Sequence, residues 1–173
     1  MMRTPRHALA LCLFPLLLSA AVPRTDYPQP QFQREQWMSL NGAWEFEFDD
    51  TDVGSKENWP SGTHKFSRSI TVPYCFESSL SGIGDPAFHP YVWYRRSLTV
   101  PVDWRAKRVL LHFGAVDWRA EVYVNGKAVG QHEGGYDAFT FDITDTLKPG
   151  TTQDLVVAVW EPIAHCNRAA SRC

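Results

Sequence analysis

Six consecutive residues, His132-Glu133-Gly134-Gly135-Tyr136-Asp137, set an imidazole, two carboxylates and a phenol around a glycine hinge. Imidazole and phenol donate hydrogen bonds, carboxylates accept them, and an aromatic face stacks on C–H surfaces. Together that is the mix that recognises a saccharide. The alternative is architectural, because paired glycines reach backbone conformations closed to other residues and make sharp turns. Asp117-Trp118-Arg119 is a second candidate. Trp118 can stack on a sugar ring while Asp117 accepts its hydroxyls; the competing reading is a turn at the start of a strand with a half-buried indole. Glu45 and Glu47 have the spacing of one strand face and invite comparison with a general acid and base. Their alternation with Trp44 and Phe46 favours a solvated outer face over catalysis. No histidine or cysteine spacing matches a zinc site, so neither a metal nor another cofactor is expected.

These side chains need strands to hold them. Ala120, Val122 and Val124 alternate along a strand, Asn125-Gly126 supplies the positive φ of a tight hairpin turn, and Phe139, Phe141 and Ile143 mark the strand after the glycine loop. Upstream, Leu40-Asn41-Gly42 is a turn, and Trp44, Phe46 and Phe48 form the aromatic face of the strand that follows. Burying each such ring contributes roughly 1.5–3 kcal/mol, enough to fix the register. Phe66 to Val72 is the next strand, stopped by Pro73. Tyr74 to Pro90 is a long irregular stretch, the kind that is functional or mobile. Strands follow at Tyr91 to Val100 and around Val109, Leu111 and Phe113, and one helical turn is expected at Asp145 to Lys148. In the last strand, Leu155, Val157 and Val159 alternate with Val156, Ala158 and Trp160; both faces are apolar, so it should be central and covered on both sides. Roughly seven or eight short strands punctuated by Gly and Pro, with no convincing amphipathic helix, predict an all-β sandwich.

A chain of 173 residues has room for one sizeable core. Its 13% aromatic content with seven Trp leans towards strands and flat ligands. A net charge of −2 without a basic block argues against a nucleic-acid partner, and Arg105, Lys107 and Arg108 read as a solvated strand edge. Arg3 and Arg6, the apolar run Ala8 to Leu18 and the small residues Ser19-Ala20-Ala21 form a secretory signal with cleavage expected after Ala21. The run is too short to span a bilayer and is interrupted by Pro15, so no membrane association is expected of the secreted, extracytoplasmic chain. The expected division is a signal over 1–21, an extended lead-in over 22–36, the folded domain over 37–162 and an irregular tail over 163–173. Cys12 leaves with the signal, and Cys75, Cys166 and Cys173 cannot all pair within one chain. None of Asn41, Asn58, Asn125 and Asn167 lies in a glycosylation sequon.

Five segments in order carry a family likeness: Leu40-Asn41-Gly42 with Trp44, Trp93-Tyr94-Arg95-Arg96 before Val100-Pro101, Val122-Tyr123-Val124-Asn125-Gly126, His132 to Asp137 with Phe139, and Asp142-Ile143-Thr144. They resemble the amino-terminal domain of family-2 glycoside hydrolases, the β-galactosidases, β-glucuronidases and β-mannosidases. The resemblance implies a jelly-roll, galactose-binding-domain-like sandwich packed beside an immunoglobulin-like domain and a catalytic (β/α)8 barrel. It also implies that the His132 to Asp137 loop mainly shapes and closes the sandwich. By the same likeness the loop Ser81 to His89 reaches towards the barrel's active site, which makes Asp85, Phe88 and His89 substrate-facing when a barrel is present. This chain departs from the family in length, has no Asn-Glu pair of the kind that presents the family's acid/base, and lacks the βα repeats of a barrel. The expectations are therefore a sugar-binding or supporting fragment with no catalytic residue of its own and a sandwich lacking its last strand. The alternatives are an independent carbohydrate-binding module and an inactive truncated product.

Overall fold

The computed structural model describes Arg24, Asp26, residues 34–148 and residues 150–162. The expected signal peptide, most of the lead-in and the tail with Cys166 and Cys173 lie outside the described residues. Cys75 is disulfide-bonded.

Among the described residues eight strands follow one another: β1 (Gly42–Phe48), β2 (Arg68–Val72), β3 (Tyr91–Thr99), β4 (Leu110–Phe113), β5 (Arg119–Val124), β6 (Lys127–Glu133), β7 (Phe139–Asp142) and β8 (Thr152–Trp160). A six-stranded sheet ordered β2-β1-β3-β8-β5-β6 packs on a two-stranded sheet, β4-β7, and every pairing is antiparallel. The main core gathers one side of each strand: Trp44 and Phe46, Val92, Leu111, Ala120 and Val122, Leu155, Val157 and Val159. Phe76, from the long irregular stretch, covers the part of the core near β1. Asn125 and Gly126 take φ of 53° and 79°, which is what a two-residue hairpin between β5 and β6 requires. Asn125 does more than turn. Its amide donates to Thr146 O and Gln153 Oε1 and its carbonyl accepts from Asp154 N, tying the hairpin to the start of β8.

β8 lies between β3 and β5 and is covered on both faces, as its apolar alternation requires. The second cover is not a sheet. Val156 packs with Trp93, Trp59 and Phe66, so the connection between β1 and β2 folds over the outer face of the large sheet. Buried Asp49 anchors that connection by accepting from Val53 N, Gly54 N and Trp93 Nε1 at 2.8, 2.8 and 3.0 Å. A Cβ on Gly54 would stand 2.5 Å from the Trp93 ring, so only glycine lets the chain lie this close.

Three expectations change. The second strand begins at Arg68, because Phe66 leaves the sheet to join the outer cluster. The helical turn is a 3-10 turn at Thr144–Thr146, one residue early. Glu45 is exposed, but Glu47 is not simply solvated: its carboxylate accepts from Ser67 N and Ser67 Oγ and pairs with Arg68 at 3.1 Å, fastening β1 to β2.

Candidate functional site

Antiparallel order brings the ends of β1, β6 and β8 and the starts of β3 and β5 to one end of the large sheet. Tyr91, Trp160, Arg119 and Glu133 lie side by side there, in register across β3, β8, β5 and β6. At the same end two loops, 114–118 and 134–138, run from one sheet to the other. They touch: Gly134 N donates to Trp118 O at 2.9 Å, and a Cβ on Gly135 would stand 2.6 Å from Asp117 Oδ1. Gly134 has a φ of 126°, a conformation other residues rarely adopt.

Asp117, Trp118, His132, Tyr136 and Asp137 thus share one end of the sandwich. His132 stacks on Phe139 (4.2 Å between centroids, 16° between planes), and Phe139 stacks on Phe113 at 4.7 Å. His132 Nε2 is buried and has no hydrogen-bond partner among the described residues. A Cβ on Gly134 would stand 3.7 Å from both this nitrogen and Asp137 Oδ2. Tyr136 is 81% exposed and Trp118 41%. Glu133 separates from the group, since strand alternation sends it to the opposite face from His132, beside Arg119.

Asp85, Phe88 and His89 reach the same end on its β1–β3 side. His89 lies flat on Phe48 at 3.6 Å. Its Nδ1 is 2.8 Å from Asp50 Oδ1 and its Nε2 3.5 Å from Asp85 Oδ2. A carboxylate only accepts, so Nδ1 carries the donated proton. The Ala87 backbone N–H holds the Asp85 carboxyl below its ordinary value; desolvation opposes this, and His89 and Arg68 add to it. Phe88 is half-buried. These contacts fasten the irregular stretch to the end of β1, and the Tyr91–Trp160 row separates this cluster from the His132 group.

Between the two clusters lies a hollow on the outer face that the linear sequence does not reveal. Asp52, Ser55, Tyr91, Arg119, Glu121 and Trp160 line an open cavity of ≈ 70 Å³. The Arg119 guanidinium lies over the Trp160 ring at 4.7 Å and pairs with Glu121 at 3.3 Å. Tyr123 donates to Glu121, and burial followed by that carboxylate pushes its phenol up to about 12. Period-two alternation assigns these residues to outward faces, but only the strand order places β3, β8 and β5 side by side. Among the described residues no group of three or more His, Cys, Asp or Glu is placed to hold a metal.

Residues 37–166 match the family model for the glycosyl hydrolases family 2 sugar binding domain. The chain belongs to that family. This family-2 domain is 31% identical over 127 residues to a β-galactosidase of Thermoanaerobacter pseudethanolicus, covering 73% of this chain and 15% of the relative. It is 31% identical over 137 residues to a β-glucuronidase of Paenibacillus borealis, covering 77% and 22%. Among solved structures, the β-glucuronidase of Ruminococcus gnavus in complex with D-glucuronic acid superposes with a TM-score of 0.66 at 32% identity, over 75% of this chain and 23% of that one. The chain therefore spans between about a seventh and a quarter of these relatives and matches only the amino-terminal part of the β-glucuronidases.

Proposed function

We propose that this is the sugar-binding and supporting domain of a secreted family-2 glycoside hydrolase, and that these residues do not themselves break glycosidic bonds. The family match over residues 37–166 carries the reading. Its further support is the use made of the polar residues here: Glu47 fastens two strands, Asp49 anchors a connection, and Asp85 and Asp50 flank a histidine. In the longer relatives a barrel would supply the acid/base and nucleophile, and the end bearing Trp118, Tyr136 and His89 would face it or its sugar. In this reading the sandwich is a jelly roll, whose described residues place six strands in one sheet and two in the other. Purified chain should hydrolyse nitrophenyl β-glycosides no faster than buffer, and amino-terminal sequencing of exported material should begin at Val22. Turnover above buffer would end the reading. The exposure of Trp118 and Tyr136 also favours an independent carbohydrate-binding module, which would hold sugar with no barrel present.

A further inference from the structure

We infer that the outer-face hollow between Tyr91, Trp160, Arg119 and Glu121 is a binding site for one neutral pyranose unit, separate from the end carrying Trp118 and Tyr136. The inference rests on the reading of this chain as a sugar-binding domain and gives that binding a place. Three strands build the hollow. Tyr91, Trp160 and Arg119 form one cross-strand row, and Trp93, Ala158 and Glu121 form the next. Ala158, between a tryptophan and a glutamate, supplies the depth because it is the one small side chain in the two rows. The connection carrying Asp52 and Ser55 forms the wall.

The polar groups match hydroxyls. Arg119 Nε is buried and stands 3.3 Å from Glu121 Oε1 without making a hydrogen bond among the described residues, and the Trp160 ring holds the guanidinium in place. A ligand hydroxyl that accepts from the guanidinium and donates to Glu121 completes the hydrogen bonding that this loose ion pair leaves unmade. Asp52 and Glu121 accept in return, and Tyr91 and Trp160 offer ring surface to sugar C–H groups. Two carboxylates beside one arginine disfavour an anion and suit an uncharged polyol. At ≈ 70 Å³ the hollow has about half the ~150 Å³ that encloses a benzene ring. It therefore seats the edge of a pyranose, with the rest of the ring open to solvent and to further sugar units.

Titrating the full chain with methyl β-D-glucopyranoside and following the Trp160 indole and Arg119 Nε–H signals by NMR tests this. Saturable shifts are expected, weakened about tenfold or more by Glu121→Gln and by Asp52→Asn. Asn is tolerated at the φ of 54° that Asp52 adopts, so the second variant keeps its fold if the first does not. Trp118→Ala and Tyr136→Ala should leave the titration unchanged. Binding lost in those two variants but kept in Asp52→Asn and Glu121→Gln would overturn the hollow and leave the sugar-binding reading standing. No saturable shift at any sugar concentration would overturn both.

Discussion

His89 and His132 stand at the same end of the sandwich, each stacked on a phenylalanine and each with a buried Nε2 that makes no hydrogen bond among the described residues, but His89 is also bonded through Nδ1 to Asp50. His89 lies 3.6 Å from the Phe48 ring, with carboxylates of Asp50 and Asp85 at 2.8 and 3.5 Å from its two nitrogens. His132 lies 4.2 Å from Phe139, and its Nε2 is buried with no hydrogen-bond partner among the described residues. A nitrogen flanked by carboxylates holds its loop in place. A buried nitrogen without a partner gives up hydration for nothing and costs the fold a little. Residue type made the two histidines equal candidates; the Nδ1 bond to Asp50 makes His89 a fastener, whereas His132 is held by its stack on Phe139.

The largest effect should come from truncating the fastener. His89→Ala removes a ring packed against Phe48 and Phe76 together with the bond to Asp50, and should cost about 2–3 kcal/mol in urea unfolding. His132→Ala keeps no stack but loses no hydrogen bond through Nε2, and should cost about 1 kcal/mol. A greater loss at His132 than at His89 would reverse the contrast.

The loop that follows His132 and Glu133 draws its shape from glycine more than from hydrogen bonds. Gly135→Ala drives a Cβ to 2.6 Å from Asp117 Oδ1, so the two crossing loops must part, at a cost of about 1–3 kcal/mol. Gly114→Ala is the matched control in the neighbouring loop: its Cβ meets nothing within 4 Å, and its melting temperature should stay put. Equal losses in the two variants would show that backbone freedom, not the contact with Asp117, sets the loop.

A smaller and sharper test replaces each histidine with phenylalanine. His132→Phe keeps the stack and removes the buried unpaired nitrogen, so stability should hold or rise by about 0.5 kcal/mol. His89→Phe keeps the stack and also removes an unbonded Nε2, but it breaks the Nδ1 bond to Asp50, and should cost about 0.5–1 kcal/mol. Thermal melts of the two variants should therefore move in different directions, and parallel shifts would dissolve the distinction.

Strand content was readable because the alternation was clean: Trp44 and Phe46, Val122 and Val124, and Leu155 and Val157 all face the core, and Asn125-Gly126 turns where its φ tolerance says it should. Both apolar faces of β8 pointed to a central strand, but that its second cover is the β1–β2 connection held by Asp49 was not legible. That depends on a carboxylate reaching Trp93, forty-four positions away. Phe66 misled for a related reason, since an apolar residue next to a strand reads as its continuation until a second cluster claims it. The candidate residues were found as types and not as groups. Local spacing joined His132 to Glu133, whereas alternation sets them on opposite faces and gives Glu133 to Arg119. The hollow depends on the order of three strands distant in sequence, which no local pattern encodes.

Acid should probe the fastened side with the smallest effect. Asp85 is held below its ordinary carboxylate value, first by the Ala87 N–H and less by His89. A lowered folded value means that ionised Asp85 stabilises the fold above the ordinary value of the unfolded chain, and that this contribution disappears as pH falls through the folded value. The melting-temperature gap between the native chain and Asp85→Asn should therefore be present at neutral pH and close in acid. Asparagine still accepts from Ala87, so the gap should be small throughout. Repeating the pair of melts in a His89→Phe background separates the two causes. Because the backbone N–H is the larger one, the acid-dependent gap should persist there. Its disappearance would make the imidazole the group that governs Asp85, and would tie the loop to His89 on both of its nitrogens instead of chiefly through Asp50.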